Sequence, residues 1–244
     1  GYDPAKASAR FNESVEMLAG VKQRYIEEPK SYFFPDLPQR GYYEREMFDW
    51  VERVEAATDD IAGELQAALS DPSAFEPYVQ RESNRANLKQ HKLLDDLNWG
   101  ALHLWKNGVV KQDIARCFPK TLAALEAVSL DRIKDRAPMA LFSRLTPGTR
   151  IDAHTGLLNT RLICHLPIIA PERCFLRVGN ETRAWERGRL LIFNDSMEHE
   201  AWNDSGEERI ILLFSIWRPE LTEEERKLVS TVLSSGVSFS SEGA

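Results

Sequence analysis

Cysteine is scarce: Cys117, Cys164 and Cys174 are the only three, they form no CxxC pair, and they leave an odd count. That excludes a disulfide framework and reads as reduced thiols in a cytoplasmic protein, with Cys164 and Cys174 in the core. Long apolar runs are missing too. The strongest, Ile210 to Trp217, is far too short to span a bilayer, so no transmembrane segment is expected in this chain. No signal peptide is visible. The chain opens at Gly1-Tyr2 without Met, as a cloning remnant or a cut-out domain would, so any upstream targeting segment or anchor would be invisible. Basic charge is also in deficit, with 31 Lys and Arg against 38 Asp and Glu and a net charge of −7. A general nucleic-acid binder needs a basic surface to displace counterions, so nucleic acid is not an expected partner. What the chain does have is apolar bulk: 43% hydrophobic residues and six tryptophans in 244 residues, enough for one large domain with a substantial core.

Periodicity divides the chain. Residues 4–26 read as an amphipathic helix, with Phe11, Val15 and Leu18 on one stripe. Residues 1–30 are therefore expected to form a helical extension, either the end of a helical repeat array or a single docking helix. Pro35 and Pro38 mark an extended connector. Helical spacing returns from Glu44 to about Ser70 through Trp50, Val54, Ile61, Leu65 and Leu69, and a shorter helix is expected at about 111–127. Beyond residue 138 the pattern changes to short apolar or β-rich runs at 139–145, 161–166, 174–178, 190–193 and 209–217, separated by turn signals such as Thr146-Pro147-Gly148. The expected fold is mainly β with flanking helices, a sandwich or double-sheet barrel over about 138–218 within a domain covering 31–235. Thr222 to Glu225 matches a capping box for a closing helix, and 236–244 reads as a frayed tail.

Two histidines bracket the strand-like runs: His154 in Ile151-Asp-Ala-His-Thr-Gly156 and His199 in Asn194-Asp-Ser-Met-Glu-His199. A mononuclear iron(II) oxygenase holds its metal by imidazoles, commonly with a carboxylate as third ligand, and leaves one face open. The usual carboxylate position, two residues after the first histidine, is Gly156. A structural histidine pair and a two-histidine metal site both remain open on spacing alone. Asp152 would share a strand face with His154 and is weighed as a ligand against a solvent-facing role, whereas Glu198 and Glu200 should point away from His199. In a strand through 160–166, Arg161, Ile163 and His165 share one face and Leu162, Cys164 and Leu166 the other. The first face is either a cation-bearing pocket suited to carboxylates or a solvated exterior. Arg209 opens the most apolar strand, as a harmless end or as an anchor for an acid.

These segments, together with Pro147-Gly148-Thr149, Asn159 to Leu162, Asn180-Glu181-Thr182, Trp185, Gly188, Trp202, Trp217 and Pro219-Glu220-Leu221, resemble the aspartyl/asparaginyl β-hydroxylases. Coverage is dense over about 140–225 and looser back through Trp99 and the Phe33–Trp50 stretch. The resemblance implies a double-stranded β-helix (jelly-roll, cupin-like) core and an iron(II)- and 2-oxoglutarate-dependent dioxygenase using O2. It implies His154 and His199 as the metal ligands, with Gly156 standing where other oxygenases place Asp. Ser143 and Arg209 match the residues on the distal carboxylate of 2-oxoglutarate, Trp99 a tryptophan beside it, and His165 one of two residues at its proximal carboxylate, the other being Ile163 here. Arg161 matches the arginine on the substrate's carboxylate or amide. A second arginine expected before Trp99 is absent, with Lys92 the nearest cation. The implied partner is a peptide, protein or small molecule bearing a carboxylate or amide, hydroxylated at an unactivated C–H bond such as the β-carbon of Asp or Asn. The alternatives are a non-catalytic β-barrel module that senses a dicarboxylate or docks a peptide, and an iron halogenase using the empty carboxylate position. The sequence is silent on oligomeric state.

Overall fold

A computed structural model describes residues 2–71, 73–81 and 92–235. Its helices are α1 (Ala9–Leu18), α2 (Val51–Ala56), α3 (Thr58–Ala68), α4 (Gln112–Ala115), α5 (Pro119–Glu126) and α6 (Glu223–Ser234). The strands are β1 (Tyr42–Tyr43), β2 (Glu76–Pro77), β3 (Trp99–Lys106), β4 (Val109–Val110), β5 (Ala140–Leu145), β6 (Arg150–His154), β7 (Arg161–Ile169), β8 (Cys174–Val178), β9 (Glu181–Ala184), β10 (Leu191–Phe193), β11 (His199–Asn203) and β12 (Arg209–Trp217). The expected tail at 236–244 lies outside the described residues.

Strands β5, β7 and β12 are apolar almost throughout because both their faces are covered, and a strand buried on both sides has no polar alternation to show. They form the centre of an antiparallel sheet ordered β1-β10-β7-β12-β5-β3-β2, with β4 on β3. One face carries Leu104, Phe142, Leu162, Leu166 and Phe214 onto Val54, Ile61, Leu65 and Leu125 of α2, α3 and α5. The other carries Trp99, Leu141, Ile163 and Leu213 onto Ile151, Leu176, Val178 and Ala201 of a second sheet, ordered β6-β11-β8-β9. Each such side chain stabilises the fold by roughly 1.5–3 kcal/mol when fully buried. The molecule is thus a double-stranded β-helix with a helical layer behind its larger sheet, and the space between the sheets is where a site can form. Cys164 is buried under the helical layer and Cys174 between the sheets, and all three cysteines are free.

The helices depart from expectation in length. The helix expected over 4–26 shortens to α1, capped by Ser8 and ended before Gly20, whose φ of +72° suits glycine. Its stripe is not buried: Phe11 is 53% and Leu18 88% exposed. The 44–70 run divides into α2 and α3 at Ala57, and the 111–127 run into α4 and α5 before Pro119, which starts a helix better than it continues one. The capping box at Thr222 and Glu225 is present.

Candidate active site

Both histidines owe their position to strand register. β6 ends at His154 and β11 begins at His199, and antiparallel pairing sets the two opposite each other with ring centres 4.2 Å apart. Each imidazole is steered by a backbone carbonyl: Nδ1 of His154 donates to Asp152 O at 2.8 Å, and Nδ1 of His199 to Met197 O at 3.0 Å. Those bonds fix the tautomer and leave Nε2 as the basic nitrogen of each ring, the arrangement that metal-bound histidines use. Imidazoles sharing one ion through bonds of about 2 Å in neighbouring positions stand with ring centres roughly 4–5 Å apart, so the pair fits a single metal. Burial, then the neighbouring His154, pulls the pKa of His199 down to about 4, so its ring is neutral and ready to ligate at pH 7. Among the described residues no three His, Cys, Asp or Glu side chains gather as a metal cluster.

The strand-face expectation resolves in favour of the interior. Ile163 is buried between the sheets while Leu162, Cys164 and Leu166 face the helices, and His165 and Arg161 follow Ile163. His165 is 6% exposed, packed against Phe193 and Trp185, with Nδ1 unpartnered. Its pKa is held well below the ordinary value by burial, then by Arg209 and His199, which share with it the Trp185 and Phe193 rings respectively. Arg209 is 1% exposed, lies over the Trp185 ring at 4.7 Å, and reaches only Ser143 O, at 3.4 Å. Among the described residues no carboxylate stands within ion-pairing distance of it, and its Nε has no partner. Burial pulls its pKa down to about 9, which leaves it charged at pH 7. A buried cation with no anion beside it is costly, which makes Arg209 a candidate contact for an anionic ligand. Ser143, buried across from it, accepts a hydrogen bond from Trp99 Nε1 at 3.2 Å, and Trp99 is stacked on Tyr78. The structure therefore brings His165, Arg209, Ser143 and Trp99 to the inner face of one sheet, opposite the histidine pair.

Sequence reasoning gave no role to two acids here. Asp195 bonds Arg161 through Oδ2 at 2.8 Å and packs on Gly156, where an added Cβ would overlap its carboxylate. The gap left by the missing side chain at 156 is filled from the other loop. Gly156 itself was the available signal, since a glycine at a position that usually carries a carboxylate implies that something else occupies the space. Asp131 is fully buried, accepts from Ser215 Oγ at 2.6 Å, and has its pKa raised to about 6 by burial. Its charge is felt by Arg161. An isolated aspartate in a loop gave no pattern to find. Asp152 is exposed and its carboxylate pairs with Lys92 at 2.7 Å, while Glu198 and Glu200 both pair with Arg177 on the outer face of the smaller sheet.

Comparison with known proteins bears on this geometry. The profile of the Aspartyl/Asparaginyl beta-hydroxylase family matches residues 55–219. The chain is 39% identical over 136 residues to the aspartyl/asparaginyl beta-hydroxylase of Mus musculus, covering 55% of this chain and 18% of that one. It is 29% identical over 217 residues to aspartate beta-hydroxylase domain-containing protein 2 of Xenopus tropicalis, covering 86% and 56%. It is 28% identical over 180 residues to the ornithine lipid ester-linked acyl 2-hydroxylase of Rhizobium tropici, covering 72% and 60%. The chain thus spans less than two thirds of the length of each of these relatives. Because the matched span takes in most of the chain and runs through both paired histidines, Gly156 and the buried Arg209, this chain belongs to the aspartyl/asparaginyl β-hydroxylase family.

Proposed function

We propose that the chain is an iron(II)- and 2-oxoglutarate-dependent dioxygenase that hydroxylates an unactivated C–H bond beside a carbonyl group. The observation that carries the reading is Arg209, a buried guanidinium with no carboxylate partner among the described residues, in the interior faced by two imidazoles 4.2 Å apart that are each oriented through Nδ1 by a backbone carbonyl. His154 and His199 would hold the metal. Arg209 and Ser143 would take the distal carboxylate of 2-oxoglutarate, beside Trp99, and His165 would donate to the proximal one, with Ile163 adding no charge. Iron, 2-oxoglutarate and O2, when bound, supply the oxidising chemistry. The protein's part is to fix geometry and to keep water away from the reacting carbon, for which the apolar walls of Ile163, Phe193 and Leu213 are suited.

Arg161 would aim the substrate. Its guanidinium is paired with Asp195 and keeps an unpartnered Nε, so an incoming carboxylate or amide would compete with, or share, that pair. The carbon oxidised in a β-hydroxylated aspartyl residue and that in a 2-hydroxylated acyl chain both adjoin a carbonyl, so one arginine placed on that carbonyl would serve either class. A screen for products 16 mass units heavier over peptides, free amino acids and acylated lipids would identify the substrate. With that substrate, Arg161→Ala is expected to lose hydroxylation far more than 2-oxoglutarate decarboxylation, because the cosubstrate still binds while the target loses its orientation. Wild-type protein that fails to turn over 2-oxoglutarate with iron(II) and O2 across the screen would sink the proposal.

A further inference from the structure

The segment from Glu27 to Phe34 lies between the two loops that carry the metal-site residues. Glu28 N donates to Ser196 O at 2.8 Å, and Glu27 bridges to Met197, whose carbonyl orients His199. On the other side Lys30 N donates to Gly156 O at 2.9 Å, and Ser31 and Tyr32 N to Leu157 O. One side chain ties the three pieces together. The Glu27 carboxylate is fully buried and accepts from Asn194 Nδ2 at 2.6 Å, from Asn159 Nδ2 at 2.9 Å and from Arg218 Nη1 at 2.5 Å. Asn194 is next to Asp195 in the turn leading to His199, and its own Oδ1 accepts from Ser196 N and Oγ. Asn159 is in the loop between His154 and Arg161 and pairs with both N and O of Phe34.

We infer that Glu27 is a positioning residue of the metal site: it holds the loop after His154 and the loop before His199 at one separation, and so sets the geometry of the two imidazoles and of the Gly156–Asp195 contact. The inference rests on the metal site proposed above. Its physical basis is that register sets the two strands side by side, but both ligands sit at strand ends, where the adjoining loops settle the final aim of each ring, and a metal site tolerates an error of only about half an ångström. A carboxylate is the group that can do this here. Three donors from three segments converge on it, and two oxygens with several lone pairs accept all of them. A carboxamide has one acceptor oxygen and would set its own NH2 against a donor.

Cobalt(II) absorbs visibly and reports ligand geometry without turnover, so it can be titrated into wild type, Glu27→Gln and Leu65→Ala. Leu65, 1% exposed in the helical layer behind the larger sheet, supplies a stability loss remote from the site. Glu27→Gln is expected to bind cobalt(II) at least tenfold more weakly with shifted visible bands. Leu65→Ala, at an equal or greater fall in Tm, should stay within twofold of wild type with unchanged bands. Should Glu27→Gln not fold, Asn194→Ala, which cuts the Glu27 tie towards His199 together with the Ser196 bonds of the same side chain, takes its place with the same expectation. Wild-type affinity and bands in the Glu27 or Asn194 variant, or an equal loss in Leu65→Ala, would overturn the positioning role and leave the metal site standing. Cobalt(II) that does not bind wild type at all would overturn both.

Discussion

His154 and His199 face each other because one strand ends and another begins at the same rung of a sheet, and each ring is turned by a carbonyl two residues before it. The proposed site has only two protein ligands and so no redundancy: His154→Ala and His199→Ala are each expected to abolish cobalt(II) and iron(II) binding by calorimetric titration, whereas Asp152→Ala should change affinity only a few-fold, its carboxylate being paired with Lys92. Gly156 makes a second case. Because a Cβ there would overlap Asp195, Gly156→Ala must displace that carboxylate from Arg161, and Gly156→Asp cannot add a third ligand without doing the same. Both are expected to lower Tm, through an overpacking cost of about 1–3 kcal/mol. Full stability in the single variants would show that Asp195 is free to move aside. At Arg209, replacement by Ala should raise the apparent Michaelis constant for 2-oxoglutarate strongly, by the roughly 2–5 kcal/mol such a buried charge pair is worth, and Lys should restore only part because its single ammonium lacks the fork. An unchanged constant would remove Arg209 from the pocket.

At the level of elements, the strands that bury both faces were legible as apolar runs, and β8 and β12 begin and end where the pattern places them. The alternation of Arg161, Ile163 and His165 against Leu162, Cys164 and Leu166 was legible too, but which face was inside depended on the second sheet, a long-range fact no local pattern carries. β3 escaped notice because Gly100 and His103 interrupt a strand that is nevertheless almost wholly buried. β6 and β11, which carry the histidines, are too short and too polar on their outward side to register as strands, so the pair was visible as residues and not as a rung. The N-terminal stripe is legible as helical spacing, which shows what a helix can bury and not that a surface is present to bury it against. α1 buries none of its residues. Shortening the chain to begin at Val21 is accordingly expected to change unfolding free energy by less than about 0.5 kcal/mol in urea, the range of surface substitutions. A larger loss would mean that α1 packs in solution in a way its exposed Phe11 and Leu18 do not reveal.

At the scale of the whole molecule, three histidines, His103, His165 and His199, lie in surroundings that disfavour their charged forms, and this makes stability depend on pH in a direction that can be worked out. Burial holds His103 and His199 at about 4, and His165 also well below the ordinary value near 6.5. The folded protein therefore takes up no proton at these rings between about pH 6.5 and 4, while the unfolded chain does. A group whose pKa is depressed on folding contributes stability that is present above the unfolded value and is lost as pH falls through the folded one. Each such histidine lowers the free energy of unfolding by up to about 1.4 kcal/mol per pH unit in that window. Metal-free protein unfolded in urea at pH 7, 6 and 5 should lose stability progressively on this account. His103 allows the effect to be separated from the paired rings, because it lies on β3 with Nε2 3.5 Å from the Glu76 carboxylate and is not one of the proposed ligands. His103→Gln should flatten the pH dependence by about one proton's worth without changing metal affinity at pH 7. Bound metal should steepen the loss on acidification, since protons then compete with the ion for His154 and His199. A pH dependence of metal-free stability that is the same in wild type and His103→Gln would mean that this ring already titrates freely in the folded protein, and that its burial on β3 is not maintained in solution.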